Sequence, residues 1–258
     1  MILRILSIFF ALLIPYQYAF ATDNSFSTTL ATNQHFDRVD GDPLSLVSDV
    51  NICVHYNPAE LDDANRYGFM GNNDGSGIND AYWFEIDDTD LAFFHYGTGG
   101  LTLTDGHTTG NKVVTGWHWY CVSNDISSSV IIFLVDGVEQ TTTYGSRNAT
   151  TANNSTAEFE LGRFQDIEGF NLEGKLDEVI IYNATRTITE MITDSEKTCL
   201  DKASFASIVA CWSFNGQSAV DDDATIGGDG TEDLTERNTP TYTSDVPFPI
   251  VAVITKDM

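Results

Sequence analysis

Short alternating or apolar runs recur along this chain, divided by Gly, Asn, Asp and Thr, and helical periodicity is nearly absent. No other feature restricts the fold as much. Side chains of a strand point alternately to its two faces, so each run buries its apolar face only by pairing with others in an antiparallel β-sandwich. The spacing predicts strands over Asn51–Tyr56, Arg66–Met70, Ala81–Asp87, Leu91–Tyr96, Trp117–Ser123, Val130–Val135, Val138–Tyr144, Ala157–Gly162 and Leu176–Tyr182. Asp136-Gly137, between two β-branched runs, predicts a tight hairpin, because both central turn positions must tolerate positive φ. Asn72–Gly77 and Ser146–Thr156 read as loops by composition. One short helix is predicted over Ile188–Ser195, opened by a capping box between Thr187 and Glu190.

The two ends differ from this middle. Residues 1–21 read as a secretory signal peptide: Arg4 supplies the basic start, Ile5 to Ile14 an apolar run, and Ala19-Phe20-Ala21 a small-x-small cleavage pattern. That run is too short to anchor a mature protein across a bilayer, and no second stretch reads as a transmembrane helix. After Cys199, an apolar run over Ala203–Phe214 is expected to end as a buried strand at Trp212. An acidic stretch follows with Asp221, Asp222, Asp223, Asp229 and Asp233, then an apolar last segment that is either an edge strand or a loose tail. The expected organisation is a leader over 1–21, a sandwich domain over 22–198, and a C-terminal extension over 199–258 that docks on the sandwich or completes it.

Four cysteines in a secreted chain read as two disulfides, with three possible connectivities. The favoured pairing joins Cys53 to Cys121, each inside a strand, and Cys199 to Cys211, which closes a short local loop. A zinc site would need Cys-x-x-Cys spacing or paired His, and the sequence has neither. A formal net charge of −26 argues against nucleic acid, heparin or anionic lipid as partners. The same carboxylates suit solubility in a salty medium and divalent cation binding. Asn148, Asn153, Asn154 and Asn183 open N-glycosylation patterns.

Four segments carry a family likeness: Gly116-Trp117-His118, Phe133-Leu134-Val135-Asp136-Gly137, Glu160-Leu161-Gly162-Arg163, and Gly174–Tyr182 followed by Glu190. In order and spacing, over about residues 36 to 195, they resemble the concanavalin A-like jelly roll in its LamG-like and pentraxin-like form. The resemblance implies an all-β antiparallel jelly-roll sandwich with one short helix. Pentraxins link a "V-C-L-x-F" strand to an "H-x-C-x-S-W" strand by a disulfide, and Cys53 and Cys121 occupy those places. Trp119 stands where pentraxins carry His, and Asn124 where they carry Trp. The tail has its own parallel. Val209–Phe214, Asp223, Asp233–Glu236 and Tyr242 resemble the opening of a LamG-like module, so the tail either begins a repeat that stops or folds back to supply strands. The Cys199–Cys211 staple favours the second.

The same resemblance implies calcium. Pentraxin-like modules hold Ca²⁺ with an Asp-Asn pair before one strand and a Glu-Gln-Asp cluster after the "L-G" strand. Here Asn79 and Asp80 precede the first, and Gln165, Asp166 and Glu168 follow the second. A hard cation takes six to eight oxygens, which two such loops can supply together. The run Glu85-Ile86-Asp87-Asp88-Thr89-Asp90 resembles the E-x-D-x-x-E strand of laminarinase-type β-glucanases. That likeness would make Glu85 the nucleophile, Asp87 its helper and Asp90 the acid/base, one methylene shorter than the usual Glu.

Of the aromatics Tyr82, Trp83, Phe84, Phe93, Phe94, Tyr96, Trp117, Trp119 and Tyr120, those alternating inward are core, and a minority facing outward could stack on sugar rings. The five His have no metal or triad spacing. The reading is a secreted, non-enzymatic recognition or adhesion module for a glycan or a surface or matrix protein, with Ca²⁺ as a structural or bridging ion and a homo-oligomer as the likeness allows. A structural surface or filament subunit and a laminarinase-type β-glucanase are the alternatives.

Overall fold

The computed structural model describes residues 25–28, 35–38, 44, 46–59, 66–73, 81–97, 103–109, 114–163, 171–196, 199, 207–214, 235–237 and 241–243. Its strands are β1 (Ser25–Thr28), β2 (His35–Arg38), β3 (Val50–Pro58), β4 (Tyr67–Asn72), β5 (Tyr82–Ile86), β6 (Ala92–Gly97), β7 (Leu103–Thr108) and β8 (His118–Asp125). There follow β9 (Val130–Val135), β10 (Val138–Gln140), β11 (Thr142–Arg147), β12 (Phe159–Leu161), β13 (Gly174–Tyr182), helix α1 (Ile188–Ser195), β14 (Ile208–Trp212), β15 (Thr235–Arg237) and β16 (Thr241–Thr243). All pairings are antiparallel. The first sheet runs β10-β9-β8-β3-β13-β1-β16, with β14 also on β13; the second runs β11-β7-β6-β5-β4-β12-β2-β15. The tail therefore contributes β14 and β16 to the first sheet and β15 to the second.

One face of each sheet builds the main core. Val54, Tyr56, Phe69, Phe84, Phe94, Tyr120, Phe133 and Trp212 belong to it and are buried. A second apolar cluster lies on the other face of the first sheet, where Met191 of α1 meets Trp119, Leu134, Ile180 and Tyr182. Both disulfides sit in this cluster. Cys53 and Cys121 face each other directly across β3 and β8 and are bonded, and Cys199 is bonded to Cys211. Glu178 Oε2 approaches Cys199 Sγ at 3.2 Å. A disulfide sulfur carries no proton, so this is a contact, not a hydrogen bond. With both sulfurs bonded, the Glu178–Cys199–Cys211 group has no thiolate to offer a metal.

Local chemistry explains most of the elements. Asp136 and Gly137 take φ of 47° and 77° and turn β9 into β10. Thr187 caps α1: Glu190 N–H donates to Thr187 Oγ1 at 3.3 Å, and Thr187 N–H donates to Glu190 Oε2 at 2.8 Å. In β13 a register shift between Asp177 and Val179 puts Glu178 at φ 41°. That bulge turns consecutive acidic side chains to different neighbours: Asp177 to His55, with 3.5 Å between Oδ2 and Nδ1, and Glu178 to the disulfide.

Three expectations differ from what is observed. The run predicted as one strand over Val138–Tyr144 is two, β10 in the first sheet and β11 in the second, and β11 continues to Arg147 inside the predicted loop. The chain turns this corner at Thr141 without a Gly or Pro to mark it. Because β10 stops opposite Phe133, the edge at Ile131 is closed by side chains of β11 instead. Ile131 N–H donates to Tyr144 Oη at 2.9 Å, and Thr142 Oγ1 donates to the Ile131 carbonyl at 3.1 Å. Finally, β7 was not expected, because Thr104, Gly106 and Thr108 occupy its core side. A Cβ on Gly106 would meet Thr142 at 3.0 Å and Ile131 at 3.2 Å, so a larger residue here would press on the side chains that close the corner.

Candidate functional site

On the second sheet, Tyr82, Phe84 and Ile86 of β5 and Phe94 and Tyr96 of β6 point into the core. The residues between them turn to the opposite face. A hairpin centred near Thr89 sets Trp83 beside His95 and Glu85 beside Phe93. The row through Trp83 continues across the sheet as Asp37, Glu160, Gly71, Trp83, His95 and Asp105. Opposite Glu85 stands Gly68. Two rungs of β4 thus carry no side chain on this face. They lie between the Glu160–Arg163 ion pair on one side and Trp83 with Glu85 on the other, and both glycines are buried.

The group around Glu85 is tightly built. Trp83 stacks on His95 with ring centroids 3.5 Å apart, and its Nε1 donates to Glu85 Oε1 at 3.3 Å. The Arg66 guanidinium pairs with the same oxygen and lies 5.8 Å from the Phe93 ring centroid. Phe93 in turn stacks on His107. Oε2 of Glu85 is buried and has no hydrogen-bond partner among the described residues.

Desolvation pushes the Glu85 carboxyl up to about 8, against the pull of Arg66 and Trp83. Since Oε1 already accepts two donors, the proton belongs on Oε2. Burial, helped by Arg66, holds His95 down at about 3, so its imidazole is neutral.

These two groups shape stability in opposite directions. From its ordinary value of 4.5 up to about 8, folded Glu85 keeps a proton that the unfolded chain has released, so its contribution is lost as pH rises through that window. From 6.5 down to about 3, the unfolded chain gains a proton at His95 that the folded chain refuses, so stability falls as pH drops. Glu85→Gln is expected to flatten the alkaline decline and leave the acid one. Unfolding midpoints of both proteins from about pH 3 to about pH 9 read this directly, and parallel profiles would refute it.

The three carboxylates of the glucanase-like run are divided by the structure. Glu85 is on the sheet face. Asp87 lies past the end of β5, where its Oδ1 accepts from Thr89 N (2.9 Å), Thr89 Oγ1 (2.6 Å) and Leu91 N (3.0 Å). That oxygen caps the turn instead of serving Glu85. Asp90 forms the corner of the same turn at φ 61°. Of the aromatics, Trp83 and Phe93 face outward here, while Trp117 and Trp119 flank His55 on the first sheet's outer face, with centroids at 4.7 and 4.9 Å. Arg66, His95, Asp105 and His107 were not singled out from the sequence. The available signal was hairpin parity, which pairs 83 with 95 and 85 with 93 once the turn at Thr89 is known.

Asn79, Asp80, Gln165, Asp166 and Glu168 lie outside the described residues, as do 1–21 and the acidic stretch 221–233. Their flanking strands are neighbours: β4 and β5 border 73–81, and β12, which pairs with β4, precedes 164–170. Asn148, Asn154 and Asn183 are exposed, and Asn153 is half-buried. Among the described residues no helix is long and apolar enough to cross a membrane.

Two facing antiparallel sheets, one bearing an aromatic and charged outer face, define a lectin-type β-sandwich. Residues 30–191 match the family model described as the concanavalin A-like lectin/glucanases superfamily, and the chain belongs to that family, with the LamG-like and pentraxin-like jelly roll. No curated protein sequence matches it. Among solved structures it resembles a candidate carbohydrate-binding protein from Bacteroides ovatus, at 13% identity and TM-score 0.62, over 86% of this chain and 59% of that one. It also resembles the heptameric SAP-like pentraxin of Limulus polyphemus (9% identity, TM-score 0.53, 86% and 95%). A third is the CBM40 of the Ruminococcus gnavus IT-sialidase (10%, 0.50, 67% and 98%).

Proposed function

We propose that this chain is an extracellular recognition module that binds a glycan on the outer face of the second sheet. One observation carries the reading: Trp83, Phe93, Arg66 and Glu85 share that face beside two rungs of β4 that hold no side chain. Aromatic faces take the C–H side of a sugar ring and the part-exposed Arg66 guanidinium can fix its hydroxyls, while the buried Glu85 carboxyl holds Arg66 and Trp83 in place. The Bacteroides ovatus protein and the CBM40, which has also been solved with sialyllactose, support a carbohydrate ligand by analogy of fold. Two disulfides fit an oxidising compartment and so a secreted protein with residues 1–21 as its leader. No covalent chemistry is proposed.

Calcium is part of the proposal. Asn79, Asp80, Gln165, Asp166 and Glu168 would supply hard oxygen ligands from segments flanking neighbouring strands. Millimolar Ca²⁺ is then expected to raise the unfolding midpoint and EDTA to weaken glycan retention; an unmoved midpoint removes the ion from the account.

The decisive experiment is a glycan array followed by calorimetry on the best ligand. Trp83→Ala is expected to weaken it at least about tenfold, as loss of an aromatic anchor does. Undiminished binding by that variant would move the site elsewhere. Retention of no glycan at all, with self-association instead, would favour a structural subunit.

A further inference from the structure

A cleft of about 330 Å³ opens on the outer face of the first sheet, far in the fold from Trp83, where the end of the β8–β9 hairpin meets the first turn of α1. Its floor is Val130 and Ile132, alternate residues of β9 that turn away from the core and stay half-exposed, because β10 stops short of them. One wall comes from the hairpin, with Asp125 and Ser128; the other is Thr185, Arg186 and Thr187.

Both walls are fixed before any ligand arrives. Arg186 N–H donates to Ser123 Oγ at 2.9 Å and ties them together at the base. Asp125 Oδ1 accepts from Ser127 Oγ at 2.8 Å and Ser128 N at 3.1 Å, bonds that hold its carboxyl below the ordinary value and keep it anionic. The Arg186 guanidinium forks onto Asp194 (Nε–Oδ2 3.1 Å, Nη2–Oδ1 3.0 Å) and stacks 4.5 Å above the Tyr182 ring. Such walls need no rearrangement on binding, which reduces the entropic cost.

The charges select the ligand. Asp125 and the chain's net charge repel anions. The Arg186 charge is already matched by Asp194 and Glu190, so an anion finds no free cation in the cleft. What the walls offer instead is acceptors and hydroxyls at Asp125, Ser128 and Thr185 above the apolar Val130 and Ile132, a combination that suits a molecule with hydroxyls on its edge and a C–H face. At the small end of the range for ligand pockets, the volume suits one ring rather than a chain. We propose that this cleft is a second ligand site, independent of the second sheet, that takes a single uncharged sugar ring or a cyclic polyol of that size.

Amide correlation spectra of the full chain, titrated with methyl glycosides of glucose, galactose, mannose and N-acetylglucosamine and with myo-inositol, test it. Saturable shifts confined to 125–132 and 185–187 are expected with at least one probe in the millimolar range. Thr185→Trp, at an exposed position on the rim, fills the cleft and is expected to weaken that binding at least about tenfold; Asp125→Asn, which keeps the turn acceptor, should weaken it several-fold. Trp83→Ala should leave the shifts unchanged. The proposal is overturned if no probe moves these amides, if Thr185→Trp binds as the parent does, or if the shifts vanish in Trp83→Ala.

Discussion

Replacing Cys53 and Cys121 together by alanine is expected to lower the unfolding free energy by about 4 kcal/mol and the midpoint by roughly 8 to 16 °C. The two residues are 68 apart in sequence, so their bond removes a large share of the unfolded chain's freedom. It also ties β3 to β8 near the middle of the first sheet, and both side chains are buried in the cluster under α1. The Cys199–Cys211 bond closes only 12 residues, and its removal should cost less, about 3 kcal/mol. Denaturant unfolding of the two double variants would give this order. A Cys53–Cys121 variant as stable as the parent would mean that sheet pairing alone already restricts the denatured ensemble.

Arg186→Met is expected to be as damaging, at about 3 to 5 kcal/mol, because it strands a charge. Asp194 is buried, and Arg186 gives it two hydrogen bonds, while Arg186 Nη1 also donates to Glu190 Oε1 at 3.4 Å. Removing only the guanidinium leaves the carboxylate desolvated and uncompensated at the base of α1. The paired variant Arg186→Met with Asp194→Leu should recover most of the loss, since an apolar pair of similar bulk fits beside Met191 and Tyr182. Equilibrium unfolding of the single and double variants measures this coupling. A single variant within about 1 kcal/mol of the parent would refute the coupling.

Much of the frame was legible wherever the chemistry is local. Thr187 and Glu190 announce α1 three residues apart, and the helix spans Ile188–Ser195 as their spacing predicts. Asp136-Gly137 forms its hairpin with both residues at positive φ. The Gly174–Tyr182 run forms β13, at the centre of the first sheet. The candidate site was harder to read. Glu85 and Asp87 are two apart and would share a face if β5 continued, but the strand ends at Ile86 and Asp87 turns to cap Thr89 and Leu91. Strand alternation holds only as far as the ladder does. Arg66 reaches Glu85 from the residue just before β4, the strand paired with β5, a contact with no signature in sequence spacing.

Local chemistry along the chain specifies the alternation that makes a sandwich, the turn and cap residues that punctuate it, and the cysteines available to staple it. These depend on neighbours within a few residues, where backbone geometry leaves few choices. Which edge β10 leaves open, how β7 buries threonines, and how Glu85 comes to lie beside Trp83, Arg66 and His95 were decided only in the tertiary structure. Those features arise from pairing between distant strands, and burial there sets the charge state of each group, which no single segment specifies alone.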